Sequence, residues 1–167
     1  MRWLCGTIIG LAAAVALFCA GPAVGAQQEC DWPTFRGNRP QTGYYPGDVP
    51  EMPQLRWTHE AGSPVESTAA IVDDTVYVGT DAGEVLALSL DDGEVKWRHE
   101  TEDAVRAAPG VKDGLVFVGD LAGTFYALDA ADGSVVWKHE TDGKIISSAN
   151  FAGENVLVGS YDSNLYC

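Results

Sequence analysis

Three imidazoles stand at equal intervals along the chain, His59, His99 and His139. Imidazole is a common metal ligand, so a histidine triad is the first chemistry these residues suggest. Asp73-Asp74, Asp91-Asp92 and Asp132 could serve as calcium ligands or as a general acid and base. The cysteines are Cys5, Cys19, Cys30 and Cys167, and they contain no Cys-x-x-Cys zinc pair, no Cys-x-x-Cys-His haem motif and no adjacent pair. Nucleophile-elbow and phosphate-cradling glycine patterns are also missing from the sequence.

The spacing reinterprets the histidines. Each belongs to a longer motif, Trp57-Thr58-His59-Glu60, Trp97-Arg98-His99-Glu100 and Trp137-Lys138-His139-Glu140, with 97−57 = 40 and 137−97 = 40. A repeat of about 40–45 residues is the length of one four-stranded propeller blade. Equivalent positions in successive blades are rotated about the ring axis by roughly 45–60°, and diverge unless they line the channel. The histidines are therefore read as structural, at strand ends beside each tryptophan. The aspartates fall at turns, where Asp hydrogen-bonds its own backbone, and none has calcium-loop spacing.

The elements that carry these residues repeat too. Val76-Tyr77-Val78-Gly79 aligns with Val116-Phe117-Val118-Gly119 and Val156-Leu157-Val158-Gly159, and Val85-Leu86-Ala87-Leu88 with Phe125-Tyr126-Ala127-Leu128. In the second period, strands are expected over Lys96 to Glu100, Ala104 to Val111, Leu115 to Gly119 and Thr124 to Leu128. Tight turns are expected at Asp113-Gly114, Ala122-Gly123 and Asp132-Gly133. Trp97 and His99 share one strand face and Lys96, Arg98 and Glu100 the other. The fold class is all-β, a partial β-propeller of about two and a half four-stranded blades. Repeat units counted from each Trp run 57–96, 97–136 and 137–167, inside a propeller region 55–167.

Residues 1–26 read as a secretory signal peptide. Arg2 supplies the charge, Thr7 to Phe18 the apolar run and Val24-Gly25-Ala26 the small residues, with cleavage after Ala26. The apolar run is shorter than the ~20 residues of a spanning helix. Phe18 and Glu29 precede Cys19 and Cys30, which argues against a lipidation site. The remaining chain carries 9 basic and 24 acidic residues, 9−24 = −15. This acidic surface speaks against nucleic acid and anionic membranes. Cys30 and Cys167 stand at opposite ends; Cys167 takes the repeat slot of Ala87 and Ala127, a small core position, and a disulfide between the two is left open. Segment 27–54, rich in Pro, Gly and aromatics, reads as an extended lead-in held down by Trp32, Phe35 and the tyrosines.

The stretch Ala127-Leu128-Asp129-Ala130-Ala131-Asp132-Gly133-Ser134-Val135-Val136-Trp137 resembles the tryptophan-docking repeat of the quinoprotein-type (PQQ-repeat) β-propellers, Ala-x-Asp-x-x-Thr-Gly-Lys-x-x-Trp. The copy from Ala87 to Trp97 has Ser89 in the Asp slot, and Asp92 and Asp132 stand where the family prefers Thr. Asp31-Trp32-Pro33-Thr34-Phe35-Arg36-Gly37 resembles the lead-in of secreted members. The resemblance implies blade-docking roles for Trp57, Trp97, Trp137, Ala87, Gly93, Ala127, Asp129 and Gly133, with each Trp packed on the neighbouring blade and its indole N–H reaching a backbone carbonyl.

The family spans quinone-dependent dehydrogenases, the propeller lipoprotein of the outer-membrane β-barrel assembly machinery, and sensor domains of membrane kinases. Its dehydrogenases stack pyrroloquinoline quinone between a Trp and an adjacent cysteine pair, beside calcium. This chain lacks such a pair, so no catalytic, cofactor or metal residue is assigned. The expected function is a periplasmic or extracellular, non-catalytic scaffold binding proteins or peptides. The alternatives are the N-terminal arc of a quinone-dependent dehydrogenase and a sensor propeller. The period places a further Trp at 137+40 = 177, past Cys167. A fragment of a longer propeller is therefore expected, with a ring of several copies as the alternative.

Overall fold

Each repeat folds into one antiparallel sheet, because short runs of β-branched and aromatic residues alternate with turns that reverse the chain. The computed structural model describes residues 31–45 and 51–167. The first sheet is β1 (Ala70–Val72), β2 (Thr75–Gly79), β3 (Glu84–Ser89) and β4 (Val95–Glu100), in that order. The second repeats it with β5 (Gly110–Lys112), β6 (Leu115–Gly119), β7 (Thr124–Asp129) and β8 (Val135–Glu140). The third is β9 (Asn150–Ala152), β10 (Asn155–Gly159) and β11 (Leu165–Tyr166). The fold is thus a partial β-propeller. Its sheets are out of phase with the sequence units, since the Trp strand closes each of the first two sheets, as β4 and β8, rather than opening the next.

Turn chemistry sets the hairpins. Asp73 and Asp74 have φ of 48° and 57°, and Asp113 and Gly114 have 51° and 75°. Two successive left-handed residues give the two-residue turn whose twist matches that of the flanking strands. The registers also agree. Ala87 faces Trp97 and Leu88 faces Val95, so Lys96 is an extra, bulged residue; Ala127, Trp137, Leu128 and Val135 repeat the arrangement.

Strand alternation gives the sheets two apolar faces, and where two sheets adjoin each covers the other. Tyr77, Val85, Ala87 and Trp97 pack with Val111, Val116, Val118, Tyr126 and Leu128 between the first two sheets. Phe117, Phe125 and Ala127 point the other way, onto Ile145, Ala149 and Val158 of the third repeat. Fully burying one such side chain, Leu128 for example, contributes about 1.5–3 kcal/mol. The sheets therefore hold one another up, as stacked repeats must.

The expected strand from Ala104 to Val111 is shorter than the sequence suggested, and only Gly110–Lys112 pair as β5. The residues before it stitch two blades instead. Thr101 N donates to Gly83 O at 2.8 Å and Val105 N to Thr80 O at 2.9 Å in the first repeat, while Ala104 O accepts from Leu121 N at 2.9 Å in the second. Bonds that alternate between two blades cannot also form one ladder. Pro109 has no N–H to contribute.

The lead-in also departs from expectation in part. Trp32 pairs with Ile71 of β1 as an isolated antiparallel bridge. Phe35 and Tyr44, however, are 43% and 69% exposed, and Tyr45 is exposed as well. Backbone hydrogen bonds of Trp32 and Pro33 hold this segment to the first two sheets.

Candidate functional site

The tryptophan strands position the most specific side chains of the repeat. The Trp97 Nε1–H donates to the Ala130 carbonyl at 2.9 Å, and the Trp57 Nε1–H donates to Leu90 O at the same distance. Each indole lies on a glycine. A Cβ on Gly133 would stand 2.5 Å from Trp97 Cε3, and one on Gly93 2.6 Å from Trp57 Cε3. Both glycines have positive φ, 75° and 76°, so they are required twice over, by the turn and by the close approach. Ala87 and Ala127 are fully buried opposite the Trp strands. The Asp129 carboxylate accepts from Ala131 N at 2.8 Å and shapes the turn that carries Gly133.

Trp137 differs. It is 38% exposed and meets Phe117 and Phe125 at centroid distances of 6.0 and 5.9 Å. Among the described residues, no glycine lies against the Trp137 ring as Gly93 and Gly133 lie against Trp57 and Trp97. A cavity of about 460 Å³ adjoins Trp137, lined by Phe125, Val156, Val158 and Tyr166. Cys167 borders it and is exposed with a free thiol, not buried like Ala87 and Ala127. Those alanines are covered by the Trp strand across the ladder, and no described strand pairs with Cys167.

The histidines do not converge. His99 lies edge-on to Tyr126 with centroids 5.7 Å apart, and His139 packs on Tyr166 at 5.3 Å. Burial pushes the His99 imidazole below its ordinary pKa. His59 has a buried Nε2 with no hydrogen-bond partner among the described residues. Within those residues no group of three His, Cys, Asp or Glu could hold a metal ion. The turn aspartates cap their own turns: Asp92 accepts from Glu94 N at 3.1 Å and Asp132 from Ser134 N at 2.9 Å.

Two polar centres escaped the sequence reading. The first is Asp120, fully buried just after the Val-Phe-Val-Gly strand. Its carboxylate accepts from Gly123 N (3.0 Å), Thr124 N (2.8 Å), Glu102 N (3.2 Å) and the Tyr126 hydroxyl (3.1 Å). Burial and the adjacent carboxylate push Tyr126 up to about 12. Thr80 and Ser160 hold the same repeat position, so a recurrent polar residue directly after each Val-x-Val-Gly was a usable signal.

The second centre is Arg106, whose guanidinium binds both oxygens of Asp81, at 3.0 and 3.1 Å, and also reaches Glu66 at 3.3 Å. Glu66 and Arg106 are equivalent positions in successive repeats. Ala108 N likewise donates to Ser148 Oγ, forty positions on, at 3.2 Å. Equivalent positions that touch lie near the ring axis, so residues 66–68, 106–108 and 146–148 mark one axial rim.

At the opposite end of the inner strands, a cleft of about 810 Å³ opens between the lead-in and the β1–β2 and β5–β6 turns. Trp32, Tyr44, Tyr77, Lys112, Asp113 and Phe151 line it. The region read as a signal peptide, with Ala26, Cys5 and Cys19, and also Cys30, lies outside the described residues. Among the described residues no helix is long and apolar enough to cross a membrane.

The comparisons with known proteins agree with this geometry. The family model described as outer membrane protein assembly factor BamB matches residues 51–167, well over half of the chain. No curated protein matches the sequence. Among solved structures, BamB from Moraxella catarrhalis is 24% identical with a TM-score of 0.59, covering 66% of this chain and 35% of its own. A quinohemoprotein alcohol dehydrogenase from Comamonas testosteroni is 25% identical, TM-score 0.64, covering 82% of this chain and 24% of its own. Another, ADHIIG from Pseudomonas putida HK5, is 23% identical, TM-score 0.69, covering 79% and 23%. The chain therefore spans about a quarter to a third of the length of these structures.

Proposed function

Because the chain belongs to the PQQ-repeat β-propeller family of outer membrane protein assembly factor BamB, we propose that it is an exported, non-catalytic propeller unit that binds proteins of outer-membrane assembly. Trp57, Trp97, Trp137, Ala87, Gly93, Ala127, Asp129 and Gly133 serve to dock one blade on the next. One observation carries the reading: the two polar centres that the fold assembles are already engaged within it. Asp120 is filled by four donors, and Arg106 is matched by two carboxylates. What remains for a partner is surface. The outer strands β4 and β8 present exposed Val95, Val135 and Val136 beside edges with no strand partner among the described residues. Such edges accept an added strand.

The quinohemoprotein likeness favours a second reading, an arc of a quinone-dependent dehydrogenase. The residues described here do not fit that cofactor well. Trp57 and Trp97 are turned between blades onto Gly93 and Gly133, and the axial rim offers Glu66, Arg106 and Ile146 without an aromatic face to stack a quinone. The first reading accordingly assigns no cofactor and no metal to these blades. Titration of the purified chain with pyrroloquinoline quinone and calcium separates the two readings. The scaffold reading expects no saturable quenching of tryptophan fluorescence. Stoichiometric quenching accompanied by alcohol-dependent dye reduction overturns it.

A further inference from the structure

We propose that residues 31–41 form a strap that fastens the three blades together along their inner strands and opens as a unit before the sheets do. This stands independently of the function proposed above. Three consecutive residues reach three consecutive sheets. Trp32 exchanges two backbone hydrogen bonds with Ile71 of β1, at 2.7 and 2.9 Å, and Pro33 O accepts from Val111 N of β5 at 2.7 Å. The Thr34 hydroxyl, buried, donates to Ala149 O beside β9 at 3.3 Å. Three residues of extended chain span only ~10 Å, so the inner strands must converge on this point.

The return limb keeps to the third sheet. Arg39 Nε donates to Phe151 O at 3.3 Å, and the Gln41 amide donates to Asn150 Oδ1. Between the limbs the chain folds on itself. Gly37 N donates to Thr34 O at 2.8 Å, and Gly37 sits so close to the Trp32 ring that an added Cβ would stand 2.6 Å from it.

The strap is held by a few bonds shared among three sheets, two to Ile71, one to Val111 and three to residues 149–151, not by a ladder to one strand. β1, β5 and β9 are only three residues long, while β3 and β7 are each paired on both sides. Elements with few buried contacts and isolated hydrogen bonds open at lower free energy than central strands. The amides of Ile71 and Val111 depend on the strap, since Trp32 O and Pro33 O are their acceptors. Trp32 and Tyr44 also wall the 810 Å³ cleft, so release of the strap dismantles that cleft.

Native-state hydrogen exchange on the intact chain tests this. The amides of Trp32, Ile71 and Val111 should share one opening rate, about tenfold or more above that of β3 and β7. Trp32→Ala should accelerate Ile71 and Val111 by about tenfold and leave β3 and β7 unchanged. The strap is overturned if Ile71 and Val111 exchange together with β3 and β7 in the parent, or keep their parent rates in a folded Trp32→Ala variant. Should that variant not fold, the parent measurement decides.

Discussion

The indole of Trp97 lies on Gly133 of the following blade and donates its Nε1–H to Ala130 O at 2.9 Å. Ring and glycine occupy different sheets, so each requires the other sheet in place. The contact is built once more, between Trp57 and Gly93 with Leu90 O. It explains why Trp, Gly and the turn residues recur together at one period.

Truncating this contact should be costly. Trp97 is buried, with 7% exposure, and Trp97→Ala should cost about 3–5 kcal/mol, as for other core aromatics. Urea denaturation measures this, and an unchanged midpoint would remove the docking assignment.

Filling the facing glycine should act from the other side. Gly133→Ala puts a Cβ 2.5 Å from Trp97 Cε3 at a φ of 75°, so both strain and a clash oppose it. Loss of the near-ultraviolet circular dichroism of Trp97, with lower thermal stability, is the expected result. If Gly133→Ala is as stable as the parent, the indole of Trp97 does not rest on Gly133.

The buried carboxylate makes a separate prediction. Asp120→Asn retains one acceptor oxygen and turns an amide N–H₂ toward donors, which should cost about 1–3 kcal/mol. Chemical denaturation of Asp120→Asn and Asp120→Ala checks it. A loss of nothing in either variant would show that the turn and Glu102 N are satisfied some other way.

Tyr126 gives a pH dependence at the alkaline end. Its folded pKa is raised from 10.0 to about 12, chiefly by burial. A group held protonated by the fold contributes stability that is complete below its unfolded value. That stability is lost as pH rises from about 10 through about 12. Tyr126→Phe should reduce this loss; an identical alkaline profile in parent and variant would contradict the assignment.

Asp31 should behave in the same direction at the acid end. Burial raises its pKa, and the charges of Asp73 and Asp74 add to this against a backbone hydrogen bond from Asp73 that lowers it. Its favourable contribution is therefore present when it is protonated and is lost as pH rises through its folded value. Asp31→Asn should slow the exchange of Ile71 and Val111 amides at neutral pH and have little effect below the carboxylate range. Faster exchange at neutral pH would reverse the sign of this account.

Much of the fold was legible because one period controls both chemistry and shape. The spacing of Trp57, Trp97 and Trp137 fixed the blade length, and Asp113-Gly114 marked a turn whose dihedral angles were readable from residue type. The segment 104–109 was not legible as stitching. Its apolar residues look like a strand, and only the neighbouring blade decides that Val105 N bonds Thr80 O. Arg106 was hidden for a related reason: its partners Asp81 and Glu66 are 25 and 40 positions away, 106−81 and 106−66, and are brought near only by the ring geometry. Phe35 and Tyr44 misled because aromatic residues signal order without saying whether ring or backbone provides the hold.

The central claim, that these blades offer surface to a protein partner, is tested most directly by photo-crosslinking. A photoreactive residue placed at Val136, which is 53% exposed on β8, should yield in the exporting cell a discrete adduct whose mass spectrum identifies an outer-membrane assembly protein. The same residue at buried Leu128 should yield none. Absence of any protein adduct from Val136 and from Val95 on β4, in cells where the chain is folded and exported, would contradict the claim.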